Sequence, residues 1–165
     1  MADESMNFDL IELTRDVFAS ASRKDFDAML SLHARHAVWD LSDAGLGSFE
    51  GVEAIRSLLT DWFGAFEDYR VDLEEAVDFG DGVIFVVVNA TGRPVGMDAS
   101  VEQRRGWAVV WRSGKVARAA SYLDLGQARA AAERLAQERR YGCSHAIANF
   151  EFERSICRRG GRSLP

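Results

Sequence analysis

Residues 69–91, YRVDLEEAVDFGDGVIFVVVNAT, decide the fold. The first half starts by alternating apolar and polar residues, as a strand with one solvated face does. Gly80-Asp81-Gly82 then offers a turn that tolerates positive φ, the usual link between antiparallel strands. Val83 to Val88 is too continuously apolar for an exposed strand, so both of its faces should be covered.

Downstream, ASVEQRRGWAVVW (99–111) reads as another strand. Arg112-Ser113-Gly114-Lys115 turns it back into VARAASYLDL (116–125). LGQARAAAERLAQERR (125–140) is alanine-rich and helical, with Leu125, Ala128, Ala132 and Leu135 on one stripe. Upstream, Leu10, Leu13, Val17 and Ala21 recur at helical spacing and predict an amphipathic helix over 8–22, with Asn7 or Ser5 as its cap. Asp25 should cap a second helix carrying Phe26, Met29, Leu30 and His33. A short strand, Ala37 to Leu41, follows. After a glycine turn, Val52, Ile55, Leu58, Leu59, Trp62, Phe63 and Phe66 describe a third helix. Helices first and a meander of strands afterwards indicate α+β, with the helices on one face of the sheet. A strongly twisted sheet packed this way forms a cone whose open end is a pocket.

At 165 residues, with 47% apolar and 28% charged residues, the chain has the length and composition of one globular domain. Its net charge of −6 argues against nucleic acid as a partner. No run is long and apolar enough to span a membrane. MADESMNFDLIEL has neither the basic start nor the apolar centre of a signal peptide, which makes the cytoplasm the expected compartment. Cys143 and Cys157 fit no metal or redox spacing. Residues 1–140 are expected to form the domain. Residues 141–165, with Arg154, Arg158, Arg159 and Arg162, read as a basic C-terminal tail, either loosely attached or an arm for a partner; a short helix around Ile147 to Ile156 folding over the pocket is a further reading.

RKDFDAMLSLHARHAVWDL (23–41), GSFEGVEAIRSLL (47–59) and VWRSGKVARAASYLDLGQARAAA (110–132) resemble, in this order, the SnoaL-like branch of the nuclear transport factor 2-like superfamily, which includes ketosteroid isomerase. The matching features are its second helix and first strand, its Gly-x-x-x-Ile turn into the third helix, and its last hairpin and terminal helix. The resemblance covers about residues 8–138. It implies a cone-shaped α+β barrel, a strongly curved antiparallel sheet wrapped around N-terminal helices, and a homodimer formed through the outer sheet face. It also implies a small apolar ligand or substrate and no cofactor. Ligand contact then falls to Val17, Leu41, Leu59, Gln103, Trp107, Ala119 and Ser121. The family's catalytic positions do not carry over. Its helix-one tyrosine falls near Val17, its protonated acid near Trp107, and its basic aspartate at Leu41 or, with a one-residue shift, Asp40. Where epoxide-hydrolase-like members have a last-strand aspartate, this chain has Ser121.

Asp40 is the candidate base. Beside Trp39 in a cavity low in water its pKa would rise, and it could remove a proton next to a carbonyl. The other reading is a strand-end carboxylate capping the turn that follows. Arg105 is the second catalytic candidate, a cation for a carboxylate or enolate oxygen, with Gln103 orienting and Trp107 as an apolar wall. In the opposite register Glu102 and Arg104 face inward instead. Without a convergent His and Asp, Ser121 is a hydrogen-bonding group and not a nucleophile. His33 and His36, three apart, find no further ligand cluster for a metal. Two functions follow: a cofactor-independent isomerase, cyclase or hydrolase acting on an apolar carbonyl or polycyclic substrate, or a non-catalytic ligand-binding or dimerisation module.

Overall fold

A computed structural model of the chain describes residues 8–159, with side chains to residue 142. The elements run α1 (Leu10–Ser22), α2 (Phe26–Ser31), β1 (His33–Asp40), β2 (Ser48–Glu50), α3 (Val52–Gly64), β3 (Phe66–Asp78), β4 (Val83–Pro94), β5 (Val101–Arg112), β6 (Lys115–Tyr122) and α4 (Leu125–Arg159). A single 3-10 turn, Ser42–Ala44, separates β1 from β2. The fold is α+β. Residues 1–7 and 160–165 lie outside the described part, and α4 continues through the segment from 141 to Arg159.

Local chemistry explains most boundaries. Asp9, not Asn7 or Ser5, caps α1 by accepting from the Glu12 amide, and Asp25 caps α2 from the Ala28 amide. His33 begins β1 rather than ending a helix, and Phe66 begins β3 rather than continuing α3. Gly51 enters α3 at φ 90°, which explains why a glycine opens that turn, and Ile55 four residues on is fully buried. At the 80–82 turn, Gly80, Asp81 and Gly82 all have positive φ and join β3 to β4. Ser113 and Gly114, both at positive φ, form the tight link between β5 and β6.

The sheet order is β2-β1-β6-β5-β4-β3. Four of its five pairings are antiparallel, but β1 runs parallel to β6, with Trp39 opposite Ala119. The sheet is therefore mixed, not wholly antiparallel. Parallel neighbours need a long connection, and everything from β2 to β5 supplies it. The sheet is also open, with β2 and β3 as its edges. Register shifts in β3 between Glu67 and Arg70 and between Leu73 and Glu75 add bend along its long hairpin with β4. The Ser22 hydroxyl donates to the Val71 carbonyl and accepts from the Val71 amide, tying α1 to edge strand β3.

Helices cover both sheet faces, correcting the expectation of one. Ile84, Val86 and Val88 face the inner core with α1, α2 and α3. Val83, Phe85 and Val87 face outward and pack with Ala108 and Val110 against Ala128, Ala131, Ala132 and Ala136 of α4. The apolar strand is thus covered twice by its own chain. Gly106 is what lets α4 sit so close, since a Cβ there would fall 2.3 Å from the Ala128 Cβ.

Candidate functional site

Helices α1, α2 and α3 and strands β1, β3, β4, β5 and β6 converge on a cavity at the open end of the inner face. Its volume is about 100 Å³, and it opens to solvent. Its walls are overwhelmingly apolar. Phe18 comes from α1, Met29 from α2, Leu59 and Trp62 from α3, Val88 from β4 and Trp107 from β5. Trp39 crosses Trp107 edge to face at 5.4 Å, which makes one aromatic wall.

The alternation of β1 decides the question at its end. Trp39 and Leu41 are buried and line the cavity, while Asp40 between them does not. Asp40 instead accepts from the Ser42 amide at 3.0 Å and pairs with Arg118 at 3.2 Å. Hydrogen bonding from Ser42, helped by the Arg118 guanidinium, holds its carboxyl below the ordinary aspartate value. This reverses the expectation of a raised pKa, because turn donors outweigh the slight burial. Asp40 caps a turn.

The other sequence candidates divide into three groups. Leu41, Leu59, Arg105, Trp107 and Ser121 line the cavity together. Val17 and Ala119 line a smaller void of about 20 Å³ behind Trp39 and Trp107. Gln103 is exposed and lines neither, but its Oε1 accepts from Arg105 Nε at 3.0 Å and so holds the guanidinium. In this register Arg105 faces the cavity and Arg104 the outer surface, where it pairs with Glu74 at 2.7 Å.

Polar groups in the cavity are few. Arg105 Nη1 donates to the Ser121 hydroxyl at 3.2 Å. Tyr69 on β3, absent from the sequence candidates, also reaches the cavity. Burial raises its phenol pKa, against a hydrogen bond from Trp62 and the positive charge of Arg105. Its only sequence signal was a polar-tipped aromatic beginning an alternating strand.

Behind the aromatic wall, His33 is 6% exposed and uses both ring nitrogens. Trp39 Nε1 donates to His33 Nε2 at 3.1 Å, so Nδ1 carries the proton donated to the Met29 carbonyl at 3.0 Å. Desolvation lowers its pKa to about 4. His33 therefore positions Trp39. His36 is exposed on the same strand, and no acidic, His or Cys cluster among the described residues is arranged to hold a metal ion. Nor is any helix among them long and apolar enough to cross a membrane.

The SnoaL-like domain family matches residues 14–119, from the first helix into the last strand. No curated protein sequence matches the chain. Similar solved structures include a ketosteroid isomerase-like fold protein from Catenulispora acidiphila DSM 44928 in complex with trimethylamine. It is 14% identical, with 67% of this chain and 84% of that chain covered and a TM-score of 0.61. TerC co-crystallized with polyporic acid is 17% identical, with 75% and 98% covered and a TM-score of 0.62. An NTF2-like protein of unknown function from Burkholderia pseudomallei K96243 is 16% identical, with 72% and 92% covered and a TM-score of 0.62. At such identities the likeness carries the fold and leaves the chemistry open. The family match reaches into every element that builds the cavity wall, ending two residues before Ser121, and on it the chain belongs to the SnoaL-like family, with an NTF2-like fold.

Proposed function

We propose that this protein binds an apolar, oxygen-bearing small molecule in the inner-face cavity, without a cofactor. One observation carries the reading: an almost wholly apolar cavity contains a half-buried guanidinium, Arg105, beside the Ser121 hydroxyl. Apolar walls supply affinity by excluding water, and the few fixed donors orient the ligand. Two similar structures were solved with small molecules, trimethylamine and polyporic acid, which supports the reading.

A thermal-shift screen against apolar ketones, quinones, epoxides and aromatic acids tests it. A ligand at a hundred times its dissociation constant should stabilise the fold by about 2.7 kcal/mol. Trp107→Ala should abolish the shift, because Trp107 forms the wall with Trp39. Absence of any hit across the four classes counts against the pocket and in favour of a partner-binding module.

The second reading is turnover by a cofactor-independent isomerase, cyclase or hydrolase, favoured by the placement of Arg105 to polarise a substrate oxygen. Its weak point is the base. Asp40 faces away from the cavity with a lowered pKa, so Asp40→Asn should leave any turnover of a hit compound intact. Loss of turnover in that variant would restore the aspartate as base. A homodimer through the outer sheet face, as the family resemblance implies, would involve the exposed Glu74 and Arg104. A single-chain mass by light scattering would remove it.

A further inference from the structure

We infer that the cavity selects ligands carrying an ionised acid, a carboxylate or an acidic enol, and seats that anion on Arg105 with Tyr69 and Ser121 as specificity-determining hydroxyl contacts. The inference rests on the ligand-binding reading above and adds the class of ligand to it.

Charge is the first argument. The chain carries a net charge of −6, yet among the described residues no Asp or Glu lines this cavity and Arg105 is the only charged side chain in its wall. None of the ion pairs among the described residues includes Arg105. Its neighbour Arg104, on the other face, does have a carboxylate. A half-buried guanidinium against apolar walls gives up part of its hydration with no carboxylate among the described residues to replace it. An anionic ligand supplies the missing partner.

Hydrogen-bond inventory is the second. Arg105 has five N–H donors, and its bonds among the described residues go to two neutral oxygens, of Gln103 and Ser121. The Ser121 oxygen accepts from Arg105, so the hydroxyl proton remains to be given elsewhere. Tyr69 repeats the pattern: Trp62 has only an N–H to give, so the phenol oxygen is the acceptor and the phenol proton remains. Both protons lack an acceptor among the bonds of the described residues. The polar complement of the cavity is thus a set of donors, and a carboxylate or enolate is acceptor-only. Gln103 fixes the guanidinium from the solvent side, which leaves its fork for the ligand.

Methylation pairs test this on the whole protein. Naphthoic acid is compared with its methyl ester, and a hydroxynaphthoquinone with its methyl ether, by calorimetry at neutral pH. At least one acid should bind about tenfold or more tighter than its methylated partner, the increment of a charge-assisted hydrogen bond. Which acid shows it distinguishes carboxylate from enolate. Arg105→Met should bring the ratio near one, Arg105→Lys should keep part of it, and Tyr69→Phe should weaken the acid while sparing the methylated compound. Circular dichroism checks that each variant is folded, and the wild-type ratio stands whether or not they are. Equal binding of acid and methylated partner overturns the inference while leaving the pocket in place. No binding by any of the four compounds overturns it together with the ligand-binding reading.

Discussion

Acidification from pH 7.5 to 4.5 should strip this protein of stability through one buried residue, His33. In the folded chain the ring accepts from Trp39 on Nε2 and donates to the Met29 carbonyl from Nδ1, so the neutral tautomer has both nitrogens satisfied. Protonation would set an N–H against the Trp39 N–H and bury a charge. Desolvation accordingly lowers the pKa from 6.5 to about 4. An unfolded chain takes up this proton as pH falls through 6.5, whereas the folded one resists until about 4. Stability attached to His33 is therefore complete above 6.5, falls as pH drops through the interval, and is lost by about 4. At 1.36 kcal/mol per unit, linkage over the stated range amounts to about 2–3 kcal/mol. For a domain of this length that is a fall of roughly 5–10 °C in melting temperature. Carboxylates also titrate in this interval, so the measurement is a difference. Urea unfolding of wild type and His33→Gln is compared at both pH values. The variant should be less stable at pH 7.5, and the gap should narrow by about 2–3 kcal/mol at pH 4.5. Parallel losses in the two proteins would refute the argument, and so would a His33 ring that titrates near 6.5 by NMR.

Three further outcomes follow from the packing. Gly106→Ala puts a methyl group 2.3 Å from the Ala128 Cβ, so α4 must shift. A destabilisation of about 1–3 kcal/mol in urea unfolding is expected, and an unchanged midpoint would mean α4 is not seated on β5. Asp40→Asn keeps a turn-capping oxygen but loses the charge paired with half-exposed Arg118. It should cost no more than about 1 kcal/mol and leave ligand affinity unchanged in calorimetry. Asp43→Ala removes the acceptor of the Leu123 amide, the tie between the 3-10 turn and the end of β6. Hydrogen exchange at Leu123 should accelerate while the core strands keep their protection.

What was legible in the sequence was local. The turns at 80–82 and 113–114 were announced by residues that accept positive φ, and the helix starting at Asp25 by its cap. The continuous apolar run of β4 correctly required two covers. Its sequence could not say that the second cover is α4, because that depends on a contact between Gly106 and Ala128, which periodicity does not register. The parallel pairing of β1 with β6 escaped for a related reason. It joins segments some eighty residues apart, and no local pattern distinguishes that from an antiparallel neighbour. Three-residue β2 carries too few side chains for an alternation to show.

The site shows the same limit at finer scale. From the residues alone, Asp40 and Leu41 were equivalent up to a slip of one. The structure sends Leu41 into the cavity and leaves Asp40 to Ser42 and Arg118. The position that the family resemblance gives to a base is thus held by leucine. Where the same resemblance places a protonated acid, Trp107 stands as an apolar wall. Polarity then comes from strands β3, β5 and β6 as Tyr69, Arg105 and Ser121. A pocket with a cation and hydroxyl donors, and with no carboxylate among its described lining residues, is the basis of the anion-binding inference above. The scaffold is that of the family, and the side chains on it are this chain's own.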